Sequence, residues 1–437
     1  MKNNVGAVHS FVKPAQSSFV HSSCIQPHFQ PWHDAWAAQW GAPSQPSASC
    51  VDWAPWSQQL SAMVRNISLL ESDVSLNENV PVTFTVNSVR AAAKAYPARK
   101  KLGSDFIATS DLANLPEQIL APFASLYNLI HHNGVWPPQL LLNLFSLIAK
   151  QAGGSRAIAK TPIFYRIWCI LRSPVIKQWA RDTCPEWDYA AAGKNALTAA
   201  ATHQWVNELA HASGQVAAST LWDIMKYFDS INWNDVKRVA DQLGYPQKDL
   251  KLALAMHAAP RILHMAGADS MVMLPTRSIL QGCFHSFFIA RMVMHFPVAR
   301  IYREQKDEGY RKPATTHTFV DDVSQFNIGP PRSVIRTLAH AGVSLVGSFR
   351  ALGLSISDKS VVLSTSKSVA ATISKVIHTY TAHRLPVRAA ARDLGVSHST
   401  AKVRRTSIQA TRVKKSIARM KRIAPPAKKR QRCQGSY

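Results

Sequence analysis

At 437 residues and 46% hydrophobic content the chain is long enough to bury more than one core, and 51 Lys+Arg against 25 Asp+Glu give a formal charge of +26. That excess goes far beyond what solubility requires and points to a polyanionic partner, nucleic acid first. The six cysteines form no CxxC pair, which argues against a disulfide framework or a zinc ribbon, and no apolar run reaches the roughly 18–20 residues that span a bilayer.

Residues 1–62 are rich in Pro, Ser, Gln, His and Trp with little periodicity, and are expected to be a poorly ordered lead-in. No signal-peptide core is evident at the start. The stretch "LPEQILAPFASLYNLIHHNG" has apolar residues at helical spacing and stops at Gly134, ahead of Pro137 and Pro138. "LLNLFSLIAK" and "RAIAK" read as two strands around the Gly-rich tip "QAGGS". Thr161 and Pro162 supply an N-cap and first-turn proline for a helix through "IFYRIWCILRSPVIKQW". A helix over 196–212 stops at Ser213 and Gly214, a strand follows over 216–224, and a further helix from about Asn234 carries Val236, Val239, Ala240 and Leu243 on one face. The last 37 positions, from Ala401, hold thirteen Lys/Arg and no acid.

Two stretches carry chemistry. "LWDIMKYFDSI" puts Asp223 at a predicted strand end with Asp229 six residues on, and "HTFVDDVSQF" puts Asp321 and Asp322 at a hairpin tip 98 positions after Asp223. Each piece alone is commonplace, since paired acids in a turn are usually solvated. Converging carboxylates repel unless a cation sits among them, and Mg2+ suits a site that mixes one or two carboxylates with substrate phosphates. Two such ions serve in-line displacement at phosphorus.

In order and context, "DIMKYFDSI", "PTRSILQGCFHSFFIARMVM", "FVDD" and "ALGLSISDKS" resemble the motif series of reverse transcriptases, most closely those of non-LTR (LINE-type) retrotransposons. The resemblance covers about residues 100–400. It implies an α+β right-hand polymerase: an antiparallel-sheet palm over 216–365, an N-terminal extension and fingers over 63–215, and a small basic, mostly helical thumb or tail over 366–437. It assigns Asp223, Asp321 and Asp322 to two Mg2+ ions, or Mn2+, with Asp321 the stronger ligand of the adjacent pair. Lys359 matches the general acid toward pyrophosphate, and Lys150 and Arg156 the fingers cations on the triphosphate. Phe228 matches the aromatic that rejects a ribose 2′ hydroxyl. Gln281 and Gly282 match the contact to template and incoming nucleotide.

Three positions depart from the family pattern. Tyr227 stands where a small residue is usual, Leu280 where an arginine often precedes the Gln-Gly pair, and Phe287 where a proline is usual.

The implied function is RNA-directed DNA polymerase of a retrotransposon, with an RNA template, a DNA primer and dNTPs as partners, no membrane, and residence in the nucleus. The alternative is a degenerate polymerase-fold protein that only binds nucleic acid. "RAAARDLGVSHSTAKVRR" resembles a helix-turn-helix, although Leu394 and Gly395 also match a strand motif of the polymerase family, which is the preferred reading. The basic run after it, with Arg404, Arg405, Arg412, Lys414, Lys415, Arg419, Lys421 and Arg422, is suited to phosphate contacts.

Overall fold

The computed structural model describes residues 26–42, 82–97, 102–149, 155–265, 268–400 and six positions between 410 and 417. They form a mixed α/β structure with two four-stranded sheets, largely antiparallel, and a two-stranded hairpin.

The chain begins with helix α1 (Gln26–Gln39), followed by α2 (Val86–Ala95), α3 (Thr109–Asn114) and α4 (Glu117–Asn133). Gly134 ends α4 in the left-handed conformation that its missing Cβ permits, with φ +65°. Strands β1 (Asn143–Ala149) and β2 (Ser155–Lys160) then pair antiparallel from Leu144 opposite Lys160 to Ala149 opposite Ser155, as the sequence predicts. The tip between them, with Lys150, lies outside the described residues.

Helix α5 (Ile163–Asp182) starts one residue later than expected, with Pro162 and not Thr161 at the N-cap. Proline has no side-chain acceptor, and the carboxylate of Asp105, 58 positions earlier, takes the backbone N–H groups of Ile163 and Phe164. Thr161 Oγ1 instead accepts from Arg166 Nε at 3.3 Å.

After α6 (Ala196–Ser213) comes β3 (Val216–Trp222), central in a sheet whose order is β6, β7, β3, β8. It pairs with β7 (Asp322–Gly329) and β8 (Val361–Ser364), and β6 (Thr315–Phe319) pairs with β7, all antiparallel. Neighbouring side chains alternate faces, so Trp222 points into the larger core with Leu345 and Ile377, while Leu221 points to the opposite face with Leu363 and Ala391. Trp222's face is covered by α10 (Phe284–Asp307), α11 (Pro331–Ala351) and α12 (Lys367–Thr381). Gly342 lets α11 approach α12 closely, because a Cβ there would sit 2.6 Å from Ile377 Cδ1. On the other face lie α6 and a hairpin of β9 (Ala390–Asp393) and β10 (Val396–Ser399).

Between β3 and α10 come α7 (Tyr227–Ser230), α8 (Trp233–Gln242), α9 (Gln247–Ala258), β4 (Arg261–Met265) and β5 (Ala268–Asp269). Strands β4 and β5 complete the second sheet, ordered β2, β1, β4, β5, with β1 and β4 parallel. A second core gathers around it, joining Trp36, Trp40, Trp136, Phe145 and Trp168 to Leu252, Met256 and Leu280.

Two expectations need correction. Part of the predicted lead-in is helical: Trp36 on α1 and Trp40, just past its end, lie one turn apart and are buried in the second core, an i, i+4 pattern hidden by flanking Pro and Ser. The helix-turn-helix alternative fails at 390–399, where the preferred strand reading of Leu394 and Gly395 is matched by the β9–β10 hairpin, whose turn residues Leu394 and Gly395 have φ +46° and +84°. Two consecutive positive φ values are what a tight type I′ hairpin turn requires, and 390–399 are strand where a mostly helical segment was expected. Among the described residues no helix is long and apolar enough to cross a membrane, and Cys169, Cys184 and Cys283 are free thiols.

Candidate active site

The two four-stranded sheets and the loop after α11 meet around a cleft of about 520 Å³. Its walls include Asp223, Phe228, Gln281, Gly282, Asp321, Lys359 and Arg156, seven residues from five separate stretches of the sequence.

Asp223 follows the last residue of β3. Its backbone N–H donates to Ser360 Oγ at 3.0 Å, and its carbonyl accepts from Ser357 N at 2.8 Å and from Ser360 Oγ at 3.3 Å. The loop over 355–360 thereby clamps the backbone of Asp223 and carries Lys359, whose Nζ stands 3.9 Å from Asp223 Oδ2. The lysine side chain is 81% exposed, so the pair is a loose one that leaves the ammonium able to swing toward a bound anion.

Asp321 sits in the two-residue turn between Phe319 and Asp322, which pair as the ends of β6 and β7. Val320 occupies the first turn position with φ +62°, a left-handed conformation that a β-branched residue rarely adopts. Burial pushes the Asp321 carboxyl up, its own backbone N–H pulls it down, the charge of Asp223 raises it and Arg156 lowers it. Asp223 and Arg156 therefore both act on this carboxylate across the cleft.

Asp322 is not part of the cleft wall. It opens β7 on the face shared with Ser324 and Phe326, which is the face toward α6 and the β9–β10 hairpin. Burial, then the charges of Asp321, Asp393 and Asp223, push its carboxyl up to about 7, with Arg392 opposing.

On the opposite wall Gly282 has φ +102°, and the Gln281 carbonyl accepts from Ala159 N at 3.0 Å, locking the Gln-Gly turn to β2 beside Arg156. Arg156 is exposed on β2. Phe228 is half-buried and separates this cleft from a second, more apolar cavity of about 690 Å³ lined by Tyr165, Cys283, Phe284, Phe287 and Phe288. Tyr227 also lines the cleft, but its ring is buried and its hydroxyl donates to the Ala290 carbonyl at 2.7 Å. Leu280 is fully buried in the second core.

Sequence reasoning assigned no site role to Trp36, Ser357 or Ser360, and noted Asp229 only by its spacing from Asp223. Asp229 lies beneath the cleft floor, with Oδ1 accepting from Trp40 Nε1 and Oδ2 from Gln281 Nε2, both at 3.0 Å. Trp36 forms part of the wall under the Lys226 ammonium, which stands 5.2 Å from its ring centre. Ser357 and Ser360 hold the Asp223 backbone. The Trp36–Trp40 spacing and the Asp223–Asp229 spacing were the available signals, and both required knowing that α1 docks here.

Of the basic tail only Lys414 falls on described residues, where it is exposed; Arg404, Arg405, Arg412, Lys415, Arg419, Lys421 and Arg422 lie outside them.

No protein-family profile and no curated protein sequence matches the chain. Among solved structures it is similar to apo telomerase from Candida tropicalis truncated from its C-terminal domain, with 14% identity and a TM-score of 0.40. The likeness covers 59% of this chain and 60% of that one.

Proposed function

We propose that the chain is an RNA-directed DNA polymerase of the non-LTR retrotransposon type, adding deoxynucleotides to a primer 3′ hydroxyl on an RNA template. The observation that carries this reading is the meeting of Asp223 and Asp321, 98 positions apart, with Arg156, Phe228, Gln281 and Lys359 around one cleft.

The donor set fits hard divalent cations. Asp223 and Asp321 offer only oxygen, and the charge of Asp223 raises the Asp321 carboxyl, a repulsion that a cation between them would relieve. Two Mg2+ ions, or Mn2+, held by these carboxylates would acidify the primer hydroxyl and stabilise the leaving pyrophosphate. Asp322, on the neighbouring face, is the weaker ligand. Arg156 pairs with the triphosphate oxygens from β2. Lys359 holds a proton for the departing pyrophosphate, and its exposed, loosely paired ammonium suits that task. Phe228 rejects a ribose 2′ hydroxyl by steric clash. Gln281 and Gly282 border the incoming nucleotide and the template.

The charge of +26 supports a grip on primer and template through phosphate contacts, to which the basic tail from Ala401 would add. Residence in the nucleus accords with the "PPAKKRQR" run near the C-terminal end.

The test is primer extension by the purified chain on RNA and DNA templates with dNTPs and Mg2+ or Mn2+. The expected result is extension on RNA that Asp321→Ala abolishes while salt-sensitive RNA binding persists. Equal extension by wild type and variant would overturn the metal assignment. RNA binding without extension by the wild type would identify a binding-only protein.

A further inference from the structure

Beneath the sheet, on the face away from α11, three ligand-bearing side chains meet in the interior. His203 comes from α6, Asp393 from the end of β9 and His398 from β10, so three elements contribute one residue each. His203 and His398 have no exposed surface and Asp393 is 7% exposed. His203 Nδ1 stands 3.3 Å from Asp393 Oδ2, and His398 Nε2 stands 3.7 Å from the same oxygen. One ligand atom from each lies within 4.8 Å of the other two.

We propose that His203, Asp393 and His398 form a second metal site, selective for Zn2+ and separate from the cleft of Asp223 and Asp321. Ligand atoms sharing a tetrahedral ion at bonds of about 2.0–2.1 Å stand roughly 3.3–3.4 Å apart, close to the two spacings to Asp393 Oδ2. Hydrogen bonding alone leaves the cluster unsatisfied, because 3.7 Å is too long for a bond from His398 and neither of its ring nitrogens has a partner. A neutral imidazole carries one N–H, so His398 buries a donor in the interior, an arrangement that is costly unless the ring has another role. Coordination through Nε2 would use one of those two atoms. Finally, the rings are held in place: His203 is stacked between His398, at 4.3 Å, and Phe326, at 5.2 Å.

The donor chemistry divides the two sites. Two imidazoles and one carboxylate select a borderline ion such as Zn2+, whereas the oxygen-only cleft selects Mg2+. The three residues join α6 to the β9–β10 hairpin, which is otherwise tied to that helix by Ser399 N to Gln204 Oε1 at 3.3 Å and by His211 Nε2 to the Thr400 carbonyl at 3.0 Å. The ion would act as a clasp on the hairpin. The inference does not depend on the polymerase reading.

The experiment uses the full chain, stripped with a chelator and titrated with Zn2+ or Co2+ in excess Mg2+. One Zn2+ per chain is expected, with a higher melting temperature and a tetrahedral Co2+ absorption spectrum lacking a thiolate charge-transfer band. Asp393→Asn and His398→Gln should lose the ion, while Asp223→Asn combined with Asp321→Asn should keep it. Should the buried-site variants fail to fold, the wild-type cobalt spectrum and its survival in the cleft variant still decide. Absence of stoichiometric Zn2+ binding, a thiolate band, retention of the ion by folded Asp393→Asn, or its loss from the cleft variant would each overturn the proposal.

Discussion

Trp40 Nε1 donates to Asp229 Oδ1 at 3.0 Å across 189 positions of sequence, and the other oxygen of the same carboxylate holds Gln281 Nε2 at 3.0 Å. Helix α1, the segment after β3 and the Gln-Gly turn are thus fixed to one another by a single buried acid. That acid also faces Arg261, fully buried and lying 4.5 Å from the Trp40 ring centre, whose guanidinium burial pushes down to about 9 while Asp229 pulls it back up.

Removing the carboxylate should therefore do two things. Asp229→Ala leaves a buried guanidinium without its counter-charge, and is expected to destabilise the chain by about 3–5 kcal/mol. It also releases Gln281 and should raise KM for dNTP. Trp40→Phe, which deletes one donor and keeps most of the packing, should cost only about 2 kcal/mol and leave KM near the wild-type value. Denaturant titration beside steady-state extension kinetics checks the pair; equal KM values in both variants would show that Asp229 does not position Gln281.

Phe228 stands between the cleft and the larger apolar cavity behind it. Replacing it with Ala would merge the two spaces, removing the ring's packing and, under the proposed role, the steric exclusion of a 2′ hydroxyl. Expected are a stability loss of about 2–3 kcal/mol for a half-buried ring and a rise of at least tenfold in rNTP use relative to dNTP. Competition assays with matched dNTP and rNTP read the ratio directly. An unchanged ratio would leave Phe228 as a packing residue only.

The helices α4, α5, α6 and α8 and the strands β1, β2 and β3 were legible because their signals are local: Gly134 and Gly214 stop their helices in the left-handed conformation, and β1 and β2 follow their apolar runs. The gathering of Asp223, Asp321 and Lys359 followed from motif order and not from periodicity. What stayed hidden depends on long-range partners. Asp105 caps α5 from 58 positions away, which left Thr161 the obvious but wrong cap. Trp36 and Trp40 sit among prolines and serines whose composition reads as loop, and burial against β1 and β4 overrides it. The hairpin at Leu394–Gly395 carries an apolar, small-residue pattern equally compatible with a helical turn, and only the strand pairing across it decides.

Val320 takes φ +62° at the turn that presents Asp321, a conformation costing a β-branched residue of order 1–3 kcal/mol. Glycine removes that strain but loses partial packing against the larger core and gains freedom in the unfolded chain. The opposing effects should leave Val320→Gly within about 1 kcal/mol of wild type. Val323→Gly, at a fully paired strand position only three residues on and 2% exposed, should cost about 3 kcal/mol. Chemical denaturation of both variants checks the contrast, and a similar loss at both sites would mean that the turn stores no strain.

His285 gives the stability a pH dependence of definite sign. Burial drives its imidazole down to about 4 from an ordinary 6.5, with Cys283 and Asp249 opposing that shift and His257 and Arg172 adding to it. The ring is packed flat on Trp168 at 5.0 Å, and its Nδ1 shares a 2.8 Å hydrogen bond with Tyr245. In the unfolded chain the imidazole takes up a proton as pH falls through 6.5, while in the folded protein it stays neutral until about 4. The unfolded state thus binds more protons across that window, so stability present above 6.5 is lost on acidification, by up to about 1.4 kcal/mol per pH unit from this one group. His285→Asn keeps a hydrogen-bond acceptor toward Tyr245 and cannot titrate. Its stability at pH 7 should be lower than that of the wild type, because the smaller side chain leaves space against Trp168. Its loss between pH 6.5 and 4 should nevertheless be shallower by about one proton, the remainder coming from other histidines that burial depresses, such as the half-buried His295. Urea midpoints at several pH values across the window measure the two slopes, and parallel slopes would show that His285 is already titrating normally in the folded protein.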